Sequence, residues 1–349
     1  MKPGAAASVF SYSPDRPGLP LKEIVRPILP HLLKVEERLE AVARDSDGIL
    51  SESSRYVLCG GGKRIRAALV LFGAVVAPEA PGDRAPAGAA SAEDAAAIAA
   101  AVELIHSATL VHDDIVDRAV LRRLKPAVNI HFGEEVAVLL GDFLYSKAFE
   151  MIARVGDPVI DSWIAGTTRV MCEGELDQLR HRFQPDLTLE EYFSFIDRKT
   201  ASLIACCARA GGRLGGLGKR EQESLADFGR NAGISFQIVD DILDLVGTES
   251  RIGKTLRTDA GNGKMTLPLI LLRESLRGPD RDAFERAIRS PSREDRDFQR
   301  WIQSRDIIEQ AERRALEYFD RAGRAIAGFD PGVRVPLEQL SRFLLYRDY

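Results

Sequence analysis

The sequence predicts an all-α protein. Apolar residues recur at helical spacing along most of the 349 residues, and segments that alternate apolar and polar residues, as strands do, are few. The rhythm of short strands and helices that marks parallel α/β folds is absent. Because no linker-like stretch divides the middle of the chain, we expect one domain over residues 21–349, preceded by a flexible tail at residues 1–20.

The predicted helices are separated by breaks that follow in order. Residues 78–88, which are rich in proline and glycine, are expected to form a loop. Ser91 next offers an N-cap with Asp94 in the capping-box position, and a long alanine-rich helix runs from there to Asp117. The same kinds of signal predict further boundaries at residues 156–158, at 184–186, across the glycines of 211–218, and at Thr266, which precedes a proline-containing first turn.

Composition excludes several classes of protein. The 48 basic and 52 acidic residues give a net charge of −4, which argues against a general nucleic-acid binder. The cysteines form no CxxC pair, which disfavours a disulfide framework or zinc site and favours a reducing, cytoplasmic location; they are Cys59, Cys172, Cys206 and Cys207. We expect no apolar run near the ~18 residues of a membrane span, and the N-terminus lacks the features of a signal peptide.

Two identical acidic motifs are the strongest chemical signal. The pattern DDxxD occurs at residues 113–117 and again at 240–244. Helical geometry places the first and last acid of each motif on one face, and the middle acid lies three residues before the last, so all three carboxylates can point the same way. Apolar neighbours indicate buried helices, so the acids are expected to face a cavity rather than form a solvated acidic surface. They are Asp113, Asp114, Asp117, Asp240, Asp241 and Asp244.

These acids indicate a hard metal ion. Oxygen ligands suit Mg²⁺, which commonly bridges carboxylates to substrate phosphates, and no cysteine accompanies the acids as zinc would favour. Two facing clusters would hold metals around a diphosphate and stabilise it as a leaving group.

Basic residues supply candidate anion sites. The segment GGGKRIR at residues 60–66 combines glycines, whose N–H groups can approach a phosphate, with the cations Lys63 and Arg66. Neither it nor residues 247–255 has P-loop spacing, so we discount nucleoside triphosphate binding. Arg122 and Arg123 follow the first acidic motif and suit bidentate binding of a metal-bound diphosphate. His106 lies near the helix face of that motif, either as a core histidine or as a ligand contact.

At these residues the sequence resembles the polyprenyl synthetase family. The motifs GGGKRIRAAL, ELIHSATLVHDDIVDRAVLRR, GDFLYSKA, GELDQL, RKTASL, FQIVDDILD and GKMTLPL occur in the family's order. The resemblance, especially to long-chain members such as octaprenyl diphosphate synthases, implies a helical bundle of the isoprenoid synthase type around a deep central cavity. It also implies a homodimeric, Mg²⁺-dependent prenyltransferase that adds isopentenyl diphosphate to an allylic diphosphate.

The resemblance implies a role for each matching residue. The six aspartates would bind Mg²⁺, three ions when substrate is bound, and Thr200 would stabilise the allylic cation. The implied contacts to the allylic diphosphate are Arg122, Lys199, Gln237, Lys254 and Lys264. Those to isopentenyl diphosphate are Lys63, Arg66, His106 and Arg123. Glu175 and Gln178 would line the cavity. Two departures are Ala67, where the family usually has proline, and Leu124, where its turn has glycine.

Several other functions share parts of this pattern. A terpene cyclase also ionises an allylic diphosphate, but it would not need Lys63, Arg66 and Arg123 as a second diphosphate site. A non-catalytic subunit of a heteromeric synthase would normally have lost aspartates, a head-to-head synthase would have a different acid spacing, and a structural or metal-storage protein would not need these cations.

Product length is predicted from Ala108 and Thr109, which lie roughly 6–8 Å along the helix from Asp113. In the family a bulky aromatic residue at this level stops chain growth. Since both residues are small, we expect a long product. One alternative is a short-chain farnesyl or geranylgeranyl synthase. Another is that a deeper residue, such as Val102 or Ile105, forms the floor of the cavity and sets the product length. Peripheral membrane contact for product release is left open.

Overall fold

The computed structural model describes residues 19–75, 91–246, 262–289 and 306–346. Residues 1–18 of the predicted tail, the whole of the predicted loop at 78–88, and Lys254 lie outside this part of the chain. In what is described, helices dominate and the strands form a single two-stranded hairpin, so the all-α prediction is confirmed.

The N-terminal half contains α1 (Leu21–Ile24), a 3-10 turn (Arg26–Ile28), α2 (Leu29–Arg44), α3 (Gly48–Leu58), α4 (Ile65–Val75), α5 (Ala92–Val116), the hairpin strands β1 (Leu121–Arg122) and β2 (Lys125–Pro126), α6 (Val128–His131) and α7 (Glu134–Val155). It is followed by α8 (Pro158–Arg180), α9 (Leu189–Ile196), a π-helical turn (Asp197–Ala201), α10 (Ser202–Leu214), α11 (Lys219–Val246), α12 (Leu267–Ser275), α13 (Gly278–Arg289), α14 (Ile307–Ala325) and α15 (Pro331–Leu345).

Helix α5 runs through the centre of the larger apolar core. The predicted capping box is present: the Ser91 hydroxyl accepts the Asp94 N–H at 3.1 Å, and the Asp94 carboxylate accepts the Ser91 N–H at 3.1 Å. Contrary to expectation, α5 is long and apolar enough to cross a membrane by length and composition. However, 72% of its apolar window is buried within the fold, where small alanines allow α4 and α7 to pack closely, so α5 is a core helix.

Glycines also allow α4 and α10 to approach closely. The predicted break at residues 211–218 begins later than expected, because α10 continues through Gly211 and Gly212 to Leu214. A Cβ on Gly211 would lie 2.4 Å from the Val70 carbonyl oxygen, and one on Gly73 would lie 2.7 Å from the backbone of Gly211. Gly73 and Gly211 therefore allow the backbones of α4 and α10 to touch, and Gly211 does not end its helix.

The π-helical turn between α9 and α10 is held by glycines of two neighbouring helices. A Cβ on Gly174 of α8 would lie 2.8 Å from Cβ of Arg198, and one on Gly233 of α11 would lie 2.7 Å from Cα of Ala201. Their small size makes room for the wider backbone of the turn. The turn carries Lys199 and Thr200, consistent with the tendency of π-helical turns to occur at functional sites.

Helix α11 connects two apolar cores. Its Phe228 packs in the larger core around α4, α5 and α10, while its Ile238 packs in a second core with residues of α12 and α14 such as Leu269 and Ala311. This packing fixes the end of α11 that carries the second acidic motif.

Candidate active site

A cavity of about 650 Å³ opens among α4, α5, the hairpin, α7, α8, the π-helical turn, α10 and α11. It gathers side chains that are far apart in the sequence. The predicted site residues on its wall are Arg66, His106, Thr109, Asp113, Arg122, Arg123, Glu175, Lys199, Thr200, Gln237 and Asp240. One acid from each motif therefore borders the same cavity, together with cations and apolar residues.

The first acidic motif lies at the carboxyl end of α5, where exposed carbonyl groups make negative charge unfavourable. Asp113 faces the cavity 3.9 Å from the Lys199 ammonium. Burial raises the pKa of Asp113, and Lys199 opposes this rise. Asp117 accepts hydrogen bonds from Lys264 at 2.7 Å and from Arg182. Burial alone would raise the pKa of Asp117, but Lys264 and the other nearby cations hold it below its ordinary value.

The middle acid of each motif does not line this cavity, so the expectation that all three carboxylates point the same way is wrong. Asp114 is 2% exposed and accepts a hydrogen bond from Arg122 Nε at 2.9 Å. Asp241 accepts hydrogen bonds from the Tyr192 hydroxyl at 2.7 Å and from Gln237 Nε2 at 2.9 Å. The reason is helical geometry: successive residues are about 100° apart, so neighbouring acids face different surroundings.

The remaining acid, Asp244, is also buried, with 3% exposure, and lies off the cavity wall. Asp240 is thus the member of the second motif that reaches the cavity.

The π-helical turn presents Lys199 and Thr200 to the cavity. Lys199 is paired with Glu175 and lies 3.3 Å from the Gln178 side-chain oxygen. Burial opposes its charge, but Asp113 and Glu175 raise the pKa of Lys199, so it stays cationic. The Thr200 hydroxyl donates a hydrogen bond to the Gln237 side-chain oxygen at 2.8 Å. The lone pairs of the hydroxyl oxygen can therefore accept a hydrogen bond or face a positive charge.

A basic region occupies another part of the wall. Arg66 has a buried Nε with no hydrogen-bond partner, and burial lowers the pKa of Arg66, although Glu103 and Asp240 favour its charge. Burial and the nearby guanidinium groups of Arg66, Arg123 and Arg122 lower the pKa of His106 well below its usual value, so its imidazole is neutral. The convergence of these groups suits an anion.

Glu103 of α5, which the sequence analysis did not single out, holds the start of α4 and the loop before it. Glu103 is 4% exposed, accepts the Ala67 N–H at 3.0 Å and lies 3.7 Å from Arg64. Arg64 in turn donates to Glu36 at 2.6 Å. Proline at position 67 would have no N–H for Glu103, which gives the Ala67 departure a structural consequence. Lys63 is exposed outside the cavity lining, 5.2 Å above the Phe343 ring.

The hairpin that carries the arginines turns sharply. Arg123 and Leu124 have φ of 52° and 62°, so both central residues of the two-residue turn are left-handed. Such turns favour glycine or asparagine, and Leu124 is 70% exposed, so little of its side chain is buried to offset the strain. The Leu124 departure therefore keeps the turn but in a strained conformation.

The two predicted chain-length residues have different environments. Thr109 lies on the cavity wall, with its hydroxyl bonded to the His106 carbonyl at 2.7 Å. Ala108 is fully buried away from the cavity lining, as are Val102 and Ile105. The wall also includes residues that sequence reasoning missed, namely Tyr145, Met171, Cys172, Leu176 and Phe236. Tyr145 lay within the motif GDFLYSKA, but nothing local indicated that its ring would face the cavity.

The donor atoms fit a hard divalent cation that binds together with a substrate. Within the described ranges, no three His, Cys, Asp or Glu side chains are arranged to hold a metal by themselves. Mg²⁺ usually takes one or two carboxylates and completes its octahedron with phosphate oxygens and water. Asp113 and Asp240, which face the same cavity, match that requirement.

The chain matches known proteins along most of its length. The family model described as polyprenyl synthetase matches residues 47–304. A short chain isoprenyl diphosphate synthase of Methanothermobacter thermautotrophicus is 38% identical over 257 residues, 71% of this chain and 74% of the relative. The heptaprenyl diphosphate synthase component 2 of Geobacillus stearothermophilus is 33% identical over 327 residues, 91% and 96% of the two chains.

Among solved structures, a polyprenyl synthase from Caulobacter crescentus superposes with a TM-score of 0.87 at 32% identity, covering 96% of this chain and all of the other. These sequence matches agree with the shared helical fold and with a cavity that joins acidic and basic residues. The chain therefore belongs to the polyprenyl synthetase family, whose members are prenyl diphosphate synthases.

Proposed function

We propose that this protein is a Mg²⁺-dependent trans-prenyltransferase that condenses isopentenyl diphosphate with an allylic diphosphate to make a long-chain all-trans polyprenyl diphosphate. The observation that carries the proposal is the single cavity that contains Asp113 and Asp240 as well as Arg66, Arg123 and His106. One acidic and one basic region provide for two diphosphates, whereas a terpene cyclase needs only one. The Caulobacter relative was crystallised with calcium and isoprenyl diphosphate, which supports the same ligand classes here.

Each region has a distinct task in this proposal. The allylic diphosphate lies near the acids, with Lys199 and Lys264 as cationic contacts and Arg122 held beside Asp114. Isopentenyl diphosphate lies against Arg66, Arg123 and neutral His106, which can donate a hydrogen bond without a charge. Lys63 joins that site by turning from Phe343, and Lys254 is a further proposed contact outside the described residues.

The reaction proceeds by ionisation, condensation and elimination. When bound, Mg²⁺ neutralises the negative charge that grows on the departing diphosphate. The carbon–oxygen bond of the allylic substrate breaks, and its electron pair leaves with the diphosphate. The hydroxyl oxygen of Thr200 and the side-chain oxygen of Gln237, to which Thr200 is hydrogen-bonded, stabilise the allylic cation. The double bond of isopentenyl diphosphate attacks that cation, and a proton is lost to the departed diphosphate, restoring a double bond.

A long product is supported by the small Thr109 side chain on the cavity wall below Asp113. The named relatives include both a heptaprenyl synthase component and a short chain synthase, so similarity alone favours neither length. The Tyr145 ring on the same wall supports the alternative, a farnesyl or geranylgeranyl product.

The direct test is to supply radiolabelled isopentenyl diphosphate with farnesyl diphosphate, with Mg²⁺ and in excess EDTA, and to separate the dephosphorylated products by chromatography. We expect Mg²⁺-dependent products longer than geranylgeranyl. Thr109→Phe should shorten them, while Thr109→Ser, which keeps the side chain small, should not. A wild type that stops at farnesyl would refute the length, and the absence of any incorporation would refute the function.

Further parts of the proposal concern assembly and location. Exposed apolar residues on α7, such as Val138, Leu139 and Phe149, support a homodimer, which light scattering would detect. Exposed Leu121 and Leu124 on the hairpin, beside basic residues, are a candidate for peripheral contact with a membrane. We also infer one catalytic domain over residues 21–349 and a cytoplasmic location, without a nucleic-acid partner.

A further inference from the structure

The carboxylate of Asp117 is held by a cation on each oxygen. Lys264 Nζ lies 2.7 Å from Oδ2, and the Arg182 guanidinium donates to Oδ1. Arg182 is largely buried, with 17% of its side chain exposed, and another of its nitrogens lies 3.5 Å from the Val116 carbonyl oxygen. Its Nε is buried without a hydrogen-bond partner. The guanidinium therefore has donor capacity that its present contacts do not use.

The two cations reach Asp117 as one structural unit. The Phe183 N–H donates to the Gly263 carbonyl at 2.8 Å, which links the residue after Arg182 to the residue before Lys264. The Phe183 ring also covers Gly263, because a Cβ there would lie 2.4 Å from the ring. This link does not involve Asp117, so the cations would stay together if the carboxylate were taken by another partner.

Both Asp117 oxygens are thus occupied by protein groups that a divalent ion would have to displace. If metal binding weakens the pairing with Arg182, then pairing with Arg182 must weaken metal binding by the same factor. Asp113, by comparison, lies 3.9 Å from Lys199, its nearest cation among the described residues, so a divalent ion meets more competition at Asp117 than at Asp113.

We propose that Arg182 is an exchangeable counter-ion: it occupies Asp117 while no divalent metal is bound, and it turns to the diphosphate when metal and diphosphate arrive together. The inference rests on the proposed function in treating Asp117 as a metal-binding residue. A planar guanidinium with an unused donor is well suited to bind a phosphate oxygen after release. Arg182 thereby weakens metal binding before the substrate binds, and it strengthens diphosphate binding once metal and substrate are both present.

The first test is calorimetric titration of the full-length protein with MnCl₂ in the absence of any diphosphate. Arg182→Gln should bind Mn²⁺ about three- to tenfold more tightly than the wild type, the range that a partly exposed ion pair can supply. The matched control is Arg180→Gln, since Arg180 lies two residues away and is 79% exposed; its affinity should be unchanged. Arg182→Lys, which keeps the charge but loses the fork geometry, should give an intermediate value and serves if the Gln variant does not fold.

The second test adds inorganic diphosphate at saturating Mg²⁺. The loss of the guanidinium in Arg182→Gln should weaken diphosphate binding several-fold, whereas Arg180→Gln should match the wild type. Unchanged or weaker Mn²⁺ binding in folded Arg182 variants would overturn the counter-ion role. Unchanged diphosphate binding would overturn the proposed contact between Arg182 and the diphosphate. Because neither titration needs turnover, a wild type that fails to incorporate isopentenyl diphosphate would refute the proposed function without affecting this result.

Discussion

The two acidic motifs have the same sequence pattern but different surroundings. Around the first, Arg122 contacts Asp114, Lys199 faces Asp113, and Asp117 is held by Lys264 and Arg182. Around the second, the described hydrogen bonds to Asp241 come from the neutral Tyr192 hydroxyl and Gln237 amide. The ion pairs of the first motif are contacts that a metal or diphosphate can exchange, whereas the hydrogen bonds from Tyr192 and Gln237 are neutral contacts that orient the Asp241 carboxylate.

This difference shows that a motif specifies carboxylates but not their electrostatic partners. Ion pairs can rearrange when a competing charge arrives, and neutral hydrogen bonds mainly set the orientation of a side chain. We therefore expect both motifs to matter for turnover, and we expect the ionic contact of Asp114 and the neutral contacts of Asp241 to contribute differently to the stability of the metal-free protein.

The largest expected effect tests whether the motifs are equivalent in catalysis. Asp113→Ala and Asp240→Ala should each lower kcat by about two orders of magnitude or more, the scale of losing a major electrostatic stabiliser. The control is Asp320→Ala, an exposed acid on α14, which should keep wild-type turnover. Near-normal turnover in either folded cavity variant would show that its motif is not part of the catalytic site.

A second measurement separates the acidic motifs from the basic region. Arg66→Ala should raise the KM for isopentenyl diphosphate about ten- to a hundredfold, as expected for losing a charge-assisted hydrogen bond, with a smaller change in the KM for the allylic substrate. Steady-state kinetics with each substrate varied in turn would measure both. If the allylic KM alone rose, Arg66 would belong with the acidic motifs.

Unfolding in EDTA compares one ionic contact of the first motif with one neutral contact of the second. Arg122→Gln leaves buried Asp114 without its cation and should cost about 1–3 kcal/mol, a value reduced from that of a fully buried pair because Arg122 is partly exposed. Tyr192→Phe removes one neutral hydrogen bond to Asp241 and should cost about 1 kcal/mol. Urea unfolding would compare them, and a larger cost for Tyr192→Phe would contradict the distinction.

The smallest effect concerns the hairpin, which carries Arg122 beside the first motif and Arg123 in the basic region. Leu124→Gly should raise the free energy of unfolding by up to about 1 kcal/mol, because relief of left-handed strain outweighs the added flexibility of glycine in the unfolded chain. Leu121→Gly, at a neighbouring position without positive φ, should destabilise the protein instead. Destabilisation by both substitutions would mean that the turn is not strained.

Much of the fold could be predicted because its signals are local. The helical spacing of apolar residues, the capping box at Ser91 and the breaks near Pro158 each depend on residues close in sequence. The glycines at 211 and 212 were misinterpreted as a break, because glycine also serves close helix packing, and only the positions of α4 beside Gly211 and of α11 beside Gly212 distinguish the two uses.

The amino-acid sequence was enough to predict an all-α chain, two sets of carboxylates at helical spacing, and the basic groups that suit diphosphates. The packed fold was needed to show which acids reach the cavity, that Ala108 is buried while Thr109 lines the wall, and that Arg182 is paired with Asp117. The physical reason is range: periodicity and capping act within a few residues, whereas ion pairing and cavity lining depend on groups that only the packing of distant helices brings together.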